Sequence, residues 1–299
     1  MTGDRSPSRK AKGLTACDVV NPSPYGSGFY LLLLLAVLPG CLSQPQGLAT
    51  APSRHVVHSG HVKLLSDTPL DKHDPLVAEL AEVRERATRL LDLPPPDRLV
   101  TIYLFPDETA FRRYIDSAFP GLPRRRAYFV GSSSELTVFS HHGERVGEDL
   151  RHEYTHGLLH ACLDYVPLWL DEGLAEYFEV PRPDAGTPNS DYPGRLGRAV
   201  TEGWRPDMSR LEQIEDFAAL TARDYQESWA WVHYLLHGSP EGADVLRDYL
   251  KACRDYDPRD EPPVDLSRRI AALEPEPEAR LMGHVVTLDG PGVIVRASR

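Results

Sequence analysis

The spacing of hydrophobic and polar residues predicts two parts with different secondary structure, which meet near residue 147. In the first part, the run LVTIYLF at residues 99–105 is typical of a buried strand, whereas residues 75–93 carry apolar positions at helical spacing and end before three prolines. The predicted elements of this part are a strand over 55–65, a helix over 75–93, a strand over 99–105, a helix capped by Asp107 that extends to about Ala118, and a hairpin over 127–140.

The second part is predicted to be mostly helical. We expect helices over 147–163, 168–179, 208–219, 223–238, 240–252 and 264–282, followed by a terminal hairpin over 284–296. Residues 181–206 are rich in glycine, proline and polar residues, which predicts a long loop that borders a site. The whole pattern predicts an α+β fold, in which a small sheet-containing N-terminal part packs on a mainly helical C-terminal part.

The chain begins with a segment that we expect to lie outside the fold. The unbroken apolar run at residues 29–38 (FYLLLLLAVL) follows several basic residues and is too short to span a bilayer, which takes about 20 residues. It suits the apolar region of a secretory signal peptide over residues 1–40. The run ends in LPGC, which resembles a bacterial lipobox and implies that Cys41 is lipidated. An ordinary cleaved signal or an uncleaved anchor is the alternative.

Length, composition and charge limit the kinds of protein that the chain can be. With 299 residues, of which 41% are hydrophobic and 26% charged, the chain has enough apolar material for a sizeable core. The formal net charge is −11 and no basic run exceeds three residues, so we expect no nucleic-acid partner. Cys162 and Cys253 either pair in an oxidising compartment or stay free. The expected organisation is a tether over 41–54 and a domain over 55–299, divided into an α/β part over 55–146, a helical part over 147–256 and a C-terminal extension over 257–299.

One motif carries the chemistry, and it is His-Glu-x-x-His at residues 152–156. On a helix, His152 and His156 lie one turn apart and point the same way, so their imidazoles can hold one Zn²⁺. Glu153 lies on the adjoining face, where its carboxylate can take a proton from a water molecule. Apolar neighbours such as Leu150 and Leu158 argue against a solvated helix, because buried imidazoles and carboxylates are costly unless they are coordinated or hydrogen-bonded.

A catalytic zinc site needs a third protein ligand. The apolar helix predicted over 168–179 carries Glu172 and Glu176 one turn apart, and a turn before Pro167 would fold this helix back against the first. We expect one of the two carboxylates to complete the metal site and the other to accept a hydrogen bond from a ligand histidine. The alternative for such a pair is a solvated helix face.

Residues 152–179 resemble the gluzincin zinc metallopeptidases, the group that contains thermolysin and the aminopeptidase N-like enzymes. The segment Trp-Leu-Asp-Glu-Gly at residues 169–173 is similar to the Trp-Leu-Asn-Glu-Gly of the latter, whose glutamate is the third zinc ligand. This resemblance implies a zincin-like fold, assigns Glu172 to the metal and, by similarity to thermolysin, gives Glu176 the role of orienting a ligand histidine. The overall pattern resembles bacterial envelope proteins of the peptidase MA-like superfamily.

Two further comparisons with that group concern the substrate. The Gly-x-Met-x-Asn loop of the aminopeptidases is absent from residues 100–150, so the resemblance does not imply an amino-terminal exopeptidase. Tyr225 begins a segment similar to one that supplies a tyrosine hydroxyl to the oxyanion in aminopeptidase N-like enzymes, which implies the same role here. The alternative for Tyr225 is a tyrosine in the core or at its rim.

Several other arginine, histidine and tryptophan residues are not predicted to take part in catalysis or metal binding. Residues 124–126 (RRR) are expected to form a solvated cluster, with contact to an acidic substrate as the alternative. His141 and His142 are expected to be exposed, His160 to be packed or hydrogen-bonded, and Trp229 and Trp231 to lie in the core. The segment 128–139 is a hypothetical strand edge along which a peptide lies.

The sequence thus predicts a zinc-dependent peptidase that acts on a peptide or protein substrate and is held by lipid to a membrane of the cell envelope. His152, His156 and Glu172 are the expected metal ligands, and Glu153 is the expected general base. Two alternatives remain open, namely a non-catalytic lipoprotein that binds a partner through the same fold and a zinc hydrolase of a non-peptide bond.

Overall fold

The computed structural model describes residues 49–181, 187–189, 191–257, 259–260 and 262–290. The expected signal peptide, Cys41 and most of the tether lie outside these residues. In the described part of the chain, no helix combines the length and the hydrophobicity that a membrane span requires.

Five strands form one mixed sheet in the order β1-β2-β3-β5-β4. Their bounds are β1 His55–Ser59, β2 Val62–Ser66, β3 Val100–Phe105, β4 Tyr128–Gly131 and β5 Leu136–His141. The single strand predicted over 55–65 is therefore wrong: it is a hairpin, because Gly60 turns the chain with a φ of 60°. The hairpin predicted over 127–140 is confirmed as β4 and β5, which pair antiparallel. Because β5 lies between β3 and β4, only the β4 part of the hypothetical edge is at the edge of the sheet.

Ten helices account for most of the remaining described residues. Their bounds are α1 Pro75–Leu91, α2 Glu108–Ala118, α3 Val146–His160, α4 Leu168–Phe178, α5 Tyr192–Thr201, α6 Met208–Glu212, α7 Ala222–His237, α8 Gly242–Arg254, α9 Leu266–Ala271 and α10 Pro277–Asp289. The α+β class is confirmed, and so are six of the predicted helices to within a few residues, namely α1, α2, α3, α4, α7 and α8.

Four predictions for the C-terminal half are wrong. Helix α5 lies inside the segment predicted as a loop, and its two glycines make room for a close neighbour: a Cβ at Gly197 would stand 2.9 Å from a carboxylate oxygen of Asp289 in α10. The helix predicted over 208–219 stops at α6 and resumes as a short 3-10 turn, Phe217–Ala219. The helix predicted over 264–282 is split, because Glu276 has a φ of 52° and Pro277 starts α10. Helix α10 also replaces the first residues of the predicted terminal hairpin, whose last residues lie outside the described ranges.

The core joins the sheet to α3 and then, through α4, to α7. Trp169, Trp229 and Trp231 are almost fully buried in it, which confirms the core prediction for the last two. Helix α3 approaches the sheet closely at Gly157, where a Cβ would stand 2.8 Å from a methyl group of Val100. This packing fixes the helix of the His-Glu-x-x-His motif against a rigid sheet.

Cys162 and Cys253 are both buried and free, so they do not pair. The Sγ atom of Cys162 lies 3.4 Å from the carbonyl oxygen of Pro94. Burial raises the pKa of each thiol to about 12. Both are therefore held as unreactive thiols in the native state.

Replacing Gly173 with alanine tests the contact between α4 and α7. A Cβ at Gly173 would stand 2.6 Å from the carbonyl oxygen of Ser228, a backbone atom that cannot rotate away. We expect Gly173→Ala to lower the free energy of unfolding by about 1–3 kcal/mol in urea titrations, although alanine is the better helix former. The matched control is Gly283→Ala in α10, where a Cβ meets nothing within 4 Å and alanine should stabilise by about 0.5–1 kcal/mol. Equal behaviour of the two variants would contradict this account.

His61 makes the contact between sheet and α3 sensitive to acid. Its Nε2 atom lies 3.0 Å from the Tyr154 hydroxyl. Burial, together with the smaller effect of the Arg84 charge, lowers the pKa of His61 to about 4. Because the unfolded chain takes up the proton near pH 6.5, stability that is fully present above about pH 6.5 is lost as the pH falls towards 4.

The variant His61→Gln should remove this acid sensitivity while it keeps an acceptor for Tyr154. We expect wild type to lose about 1–2 kcal/mol more stability than the variant between pH 7 and pH 4, after allowance for the partial solvent exposure of His61. Urea unfolding at several pH values measures the difference. Parallel pH profiles for the two proteins would show that His61 is not the group responsible.

Candidate metal centre

Helix α3 presents two imidazoles on adjacent turns. The ring centroids of His152 and His156 are 5.0 Å apart, and both rings face the next helix, α4. Helix α4 can start at Leu168 because Pro167, in an extended conformation, ends the connection from α3. The two helices then pack side by side, which brings the carboxylates of α4 to the histidines of α3.

Glu172 completes a group of three ligand atoms. Its Oε2 atom lies 3.6 Å from Nε2 of His152 and 3.8 Å from Nε2 of His156. This oxygen is buried and has no hydrogen-bond partner. Ligands held tetrahedrally at bonds of about 2.0–2.1 Å are about 3.4 Å apart, so the three atoms fit one Zn²⁺. Among the described residues, these three form one of two groups close enough to share a metal ion.

On the side away from Glu172, each imidazole contacts one further carboxylate. Nδ1 of His152 lies 3.0 Å from Oε2 of Glu179, and Nδ1 of His156 lies 3.0 Å from Oδ1 of Asp171. Both rings are thereby turned so that Nε2 faces Glu172. Sequence reasoning did not assign roles to Asp171 and Glu179. Glu179 follows Glu172 by two helical turns, and this spacing was the available signal.

Glu176 lies in the same acidic region and has a different partner. It accepts a hydrogen bond of 2.8 Å from the Tyr192 hydroxyl of α5. Glu176, Glu179 and His152 also form the second group of close ligand atoms. Burial, followed by the neighbouring charge of Glu179, raises the pKa of Glu176 to about 7. The role predicted for Glu176 in orienting a ligand histidine stays a prediction.

The charge around the two histidines favours a cation. Burial opposes protonation of His156, but Asp171 and Glu172 outweigh it and raise the pKa of this histidine to about 9. For His152, burial again opposes protonation, while Glu172 and Glu179 raise the pKa well above its usual value. A metal ion with two positive charges would interact favourably with the same carboxylates, and on binding it would displace the protons from the two histidines.

Glu153 lies beside the expected metal position without being one of the three ligands. Burial raises the pKa of its carboxyl, and the nearby His152 and His156 lower it in part. A carboxylate with a raised pKa is a stronger base than one in water, so Glu153 is suited to accept a proton.

Tyr225 lies at the start of α7, where a capping box between Thr221 and Asp224 fixes the first turn. Its hydroxyl is 3.4 Å from Nη2 of Arg125. Burial raises the pKa of Tyr225, and the charge of Glu172 contributes in the same direction. The hydroxyl therefore stays protonated and can donate a hydrogen bond. The expectation of a solvated arginine cluster is wrong for Arg125, which lies half-buried at this position.

The edge strand β4 covers one side of the histidines. The ring of Phe129 stacks on His156 and on His160, at centroid distances of 5.9 and 5.4 Å. His160 is hydrogen-bonded to Oδ2 of Asp171 at 3.2 Å, which confirms the prediction for this residue. His141 and His142 are half-buried rather than exposed, and the ring of His141 packs 5.2 Å from that of Phe111 in α2.

Comparison with known proteins finds a likeness in structure and none in sequence. No family model matches the sequence, and no curated protein matches it significantly. Among solved structures, the chain is similar to an M1 zinc metallopeptidase from Deinococcus radiodurans, with 15% identity, a TM-score of 0.34 and coverage of 80% of this chain. The chain spans about half the length of that enzyme, 51%. A likeness of this degree assigns no function, which therefore has to come from the site itself.

Removing the partner of His152 should weaken metal binding without removing a ligand. We expect Glu179→Gln to raise the Kd for Zn²⁺ by about 10–100-fold, because the imidazole loses the carboxylate that orients it. Competition with a chromophoric chelator measures this Kd. Glu176→Gln is the matched comparison and should have a smaller effect, since Glu179 is the carboxylate at 3.0 Å from Nδ1. A Glu179→Gln protein with wild-type affinity would refute the orienting role.

Proposed function

We propose that this protein is a zinc-dependent peptidase with a zincin-like fold, in which His152, His156 and Glu172 hold the metal. One observation carries the proposal: two Nε2 atoms converge on a buried carboxylate oxygen that has no other partner, at 3.6 and 3.8 Å. Glu153, which the metal does not need as a ligand, lies next to them. Zn²⁺ held there would supply Lewis acidity, which polarises a carbonyl oxygen and lowers the pKa of water.

Glu153 acts as the general base. It accepts a proton from the attacking water and later donates it to the leaving amine, so one carboxyl serves both halves of the reaction. The raised pKa of this group supports the role, because a carboxyl that is too acidic would hold the proton too weakly to deliver it. Its place beside His152 keeps it close to the water throughout.

Tyr225 donates a hydrogen bond to the carbonyl oxygen of the substrate as negative charge develops on it. A neutral hydroxyl held in place before the reaction stabilises such charge more effectively than water, which has to reorient. The capping box at Thr221 and the packing of α7 on α4 supply this preorganisation. Arg125, 3.4 Å from the hydroxyl, increases its polarity.

The substrate lies as an extended strand along β4. This strand is at the edge of the sheet within the described residues, and Phe129 brings it next to His156. Backbone hydrogen bonds to an edge strand hold a peptide without reading its side chains, which suits an enzyme that accepts more than one sequence. The site favours peptide hydrolysis over a role in binding alone, since binding needs no proton acceptor beside the metal.

We also propose that lipid on Cys41 anchors the protein in the cell envelope. The support is the sequence pattern of residues 29–41, in which an apolar run ends at this cysteine. The tether that follows would hold the catalytic domain near the membrane surface, with peptides or proteins of that compartment as substrates.

The variant Glu153→Gln tests catalysis separately from metal binding. We expect the purified full chain and the variant each to hold one zinc ion, because the ligands are unchanged. Cleavage of a mixed peptide library, followed by mass spectrometry, should fall by at least about 100-fold in the variant. Zinc without cleavage by wild type would contradict the peptidase proposal and favour a non-peptide bond or a binding role. Failure to bind added zinc would overturn the assignment of the metal centre.

A further inference from the structure

The three consecutive arginines before β4 differ in their partners. Arg126 pairs with Asp149 at 2.7 Å, and the exposed Arg124 lies 3.9 Å from Asp116. Arg125 lies between them, and within the described ranges no carboxylate is within 4.0 Å of its guanidinium. Arg125 acts electrostatically on the nearby carboxyl of Glu153, but it forms no ion pair with a described carboxylate, so this half-buried arginine is a candidate for binding an anion from outside.

The guanidinium of Arg125 is held in place by uncharged groups. It lies 4.2 Å from the centroid of the Phe217 ring and 3.4 Å from the Tyr225 hydroxyl. Its backbone N–H donates to the Tyr128 hydroxyl at 3.1 Å, which fixes the approach to β4. Stacking on an aromatic ring leaves the N–H groups at the edge of the guanidinium free, and their fork matches the two oxygens of a carboxylate.

The position of Arg125 relates it to one end of a bound peptide. Arg125 precedes the first residue of β4 by three positions. A peptide that pairs antiparallel with β4 places its carboxyl-terminal end at the start of this strand, and antiparallel pairs are the commoner kind. The segment after the scissile bond would then approach the guanidinium.

We propose that Arg125 binds a carboxylate of the substrate on the carboxyl-terminal side of the scissile bond, and so selects peptides with negative charge there. This inference rests on the proposed peptidase function and gives it a substrate class. Two sources supply the same chemistry, namely the terminal carboxylate of a short peptide and the side chain of an Asp or Glu residue. Arg125 is in this view a residue that determines specificity.

Paired peptide libraries distinguish the two sources. One library carries free carboxylates at the C terminus and its copy carries carboxamides, and each is made with and without Asp and Glu. We expect the zinc-loaded full chain to cleave peptides with a carboxylate after the scissile bond at least about tenfold faster, in kcat/KM, than their neutral counterparts. A preference confined to free acids assigns the terminal carboxylate, whereas one that follows Asp or Glu assigns the side chain.

Variants connect the preference to Arg125. In Arg125→Gln the ratio of kcat/KM for charged over neutral peptides should fall to near one, and Arg125→Lys should recover part of it through the retained charge. Arg124→Gln is the matched control, because it removes the same charge from the neighbouring exposed residue and should leave the ratio unchanged. If Arg125 only positions Tyr225, Arg125→Gln slows both kinds of peptide equally and the ratio stays as in wild type, which overturns the inference.

A binding measurement separates this inference from the peptidase proposal. The zinc-loaded Glu153→Gln protein is immobilised, and the peptides that it retains from each library are identified by mass spectrometry. Retention of charged peptides over neutral ones, lost with Arg125→Gln, supports the inference even where wild type cleaves nothing. Cleavage or retention without any such preference overturns it, and so does retention of no peptide at all.

Discussion

Negative charge buried around two imidazoles is the interaction on which the rest of this structure depends. The carboxylates involved are Glu153, Asp171, Glu172, Glu176 and Glu179. Burying that much charge is unfavourable unless each group finds a partner, and most do so within α3, α4 and α5. The buried Oε2 atom of Glu172 has no hydrogen-bond partner, and it faces both Nε2 atoms. A cation bound between these three atoms would neutralise the negative charge of the Glu172 carboxylate.

The scaffold holds this arrangement through apolar packing at short range. Helix α4 packs between α3 and α7, and Gly173 lets α4 approach the backbone of α7 more closely than a side chain would allow. Trp169 of α4 and Trp229 and Trp231 of α7 are almost fully buried, so both helices are anchored in the core. The same packing sets the position of Tyr225, since α7 begins with a fixed cap. The positions of the site residues are therefore determined more by packing in the core than by contacts within the site.

Local sequence patterns predicted most of the helices around the site, but they failed where contacts between distant segments of the chain determine the structure. The helices carrying His152 and Glu172 could be predicted from periodicity, and helical spacing predicted that the two histidines share a face. The contacts of Asp171 and Glu179 depend on the packing of α4 against α3, which spacing along one helix does not define. Helix α5 was missed because its glycines are typical of a loop, although here they make room for α10. Arg125 was hidden in a run of like charges whose members face different ways once β4 and α2 are in place.

The two buried thiols also make local stability around the connection between α3 and α4 measurable. Cys162 follows the end of α3 by two residues, and Cys253 lies near the end of α8, where its carbonyl oxygen accepts a hydrogen bond of 3.2 Å from the Tyr165 N–H, so the two thiols sample the start of this connection and its contact with α8. Each thiol can react with a labelling reagent only when its surroundings open, since burial both shields it and keeps it protonated. Their separate labelling rates would therefore report two local opening equilibria in the unmutated chain. If zinc slows the labelling of Cys162, the ratio of the rates without and with zinc is a protection factor. This factor measures how much bound metal stabilises the contact between α3 and α4.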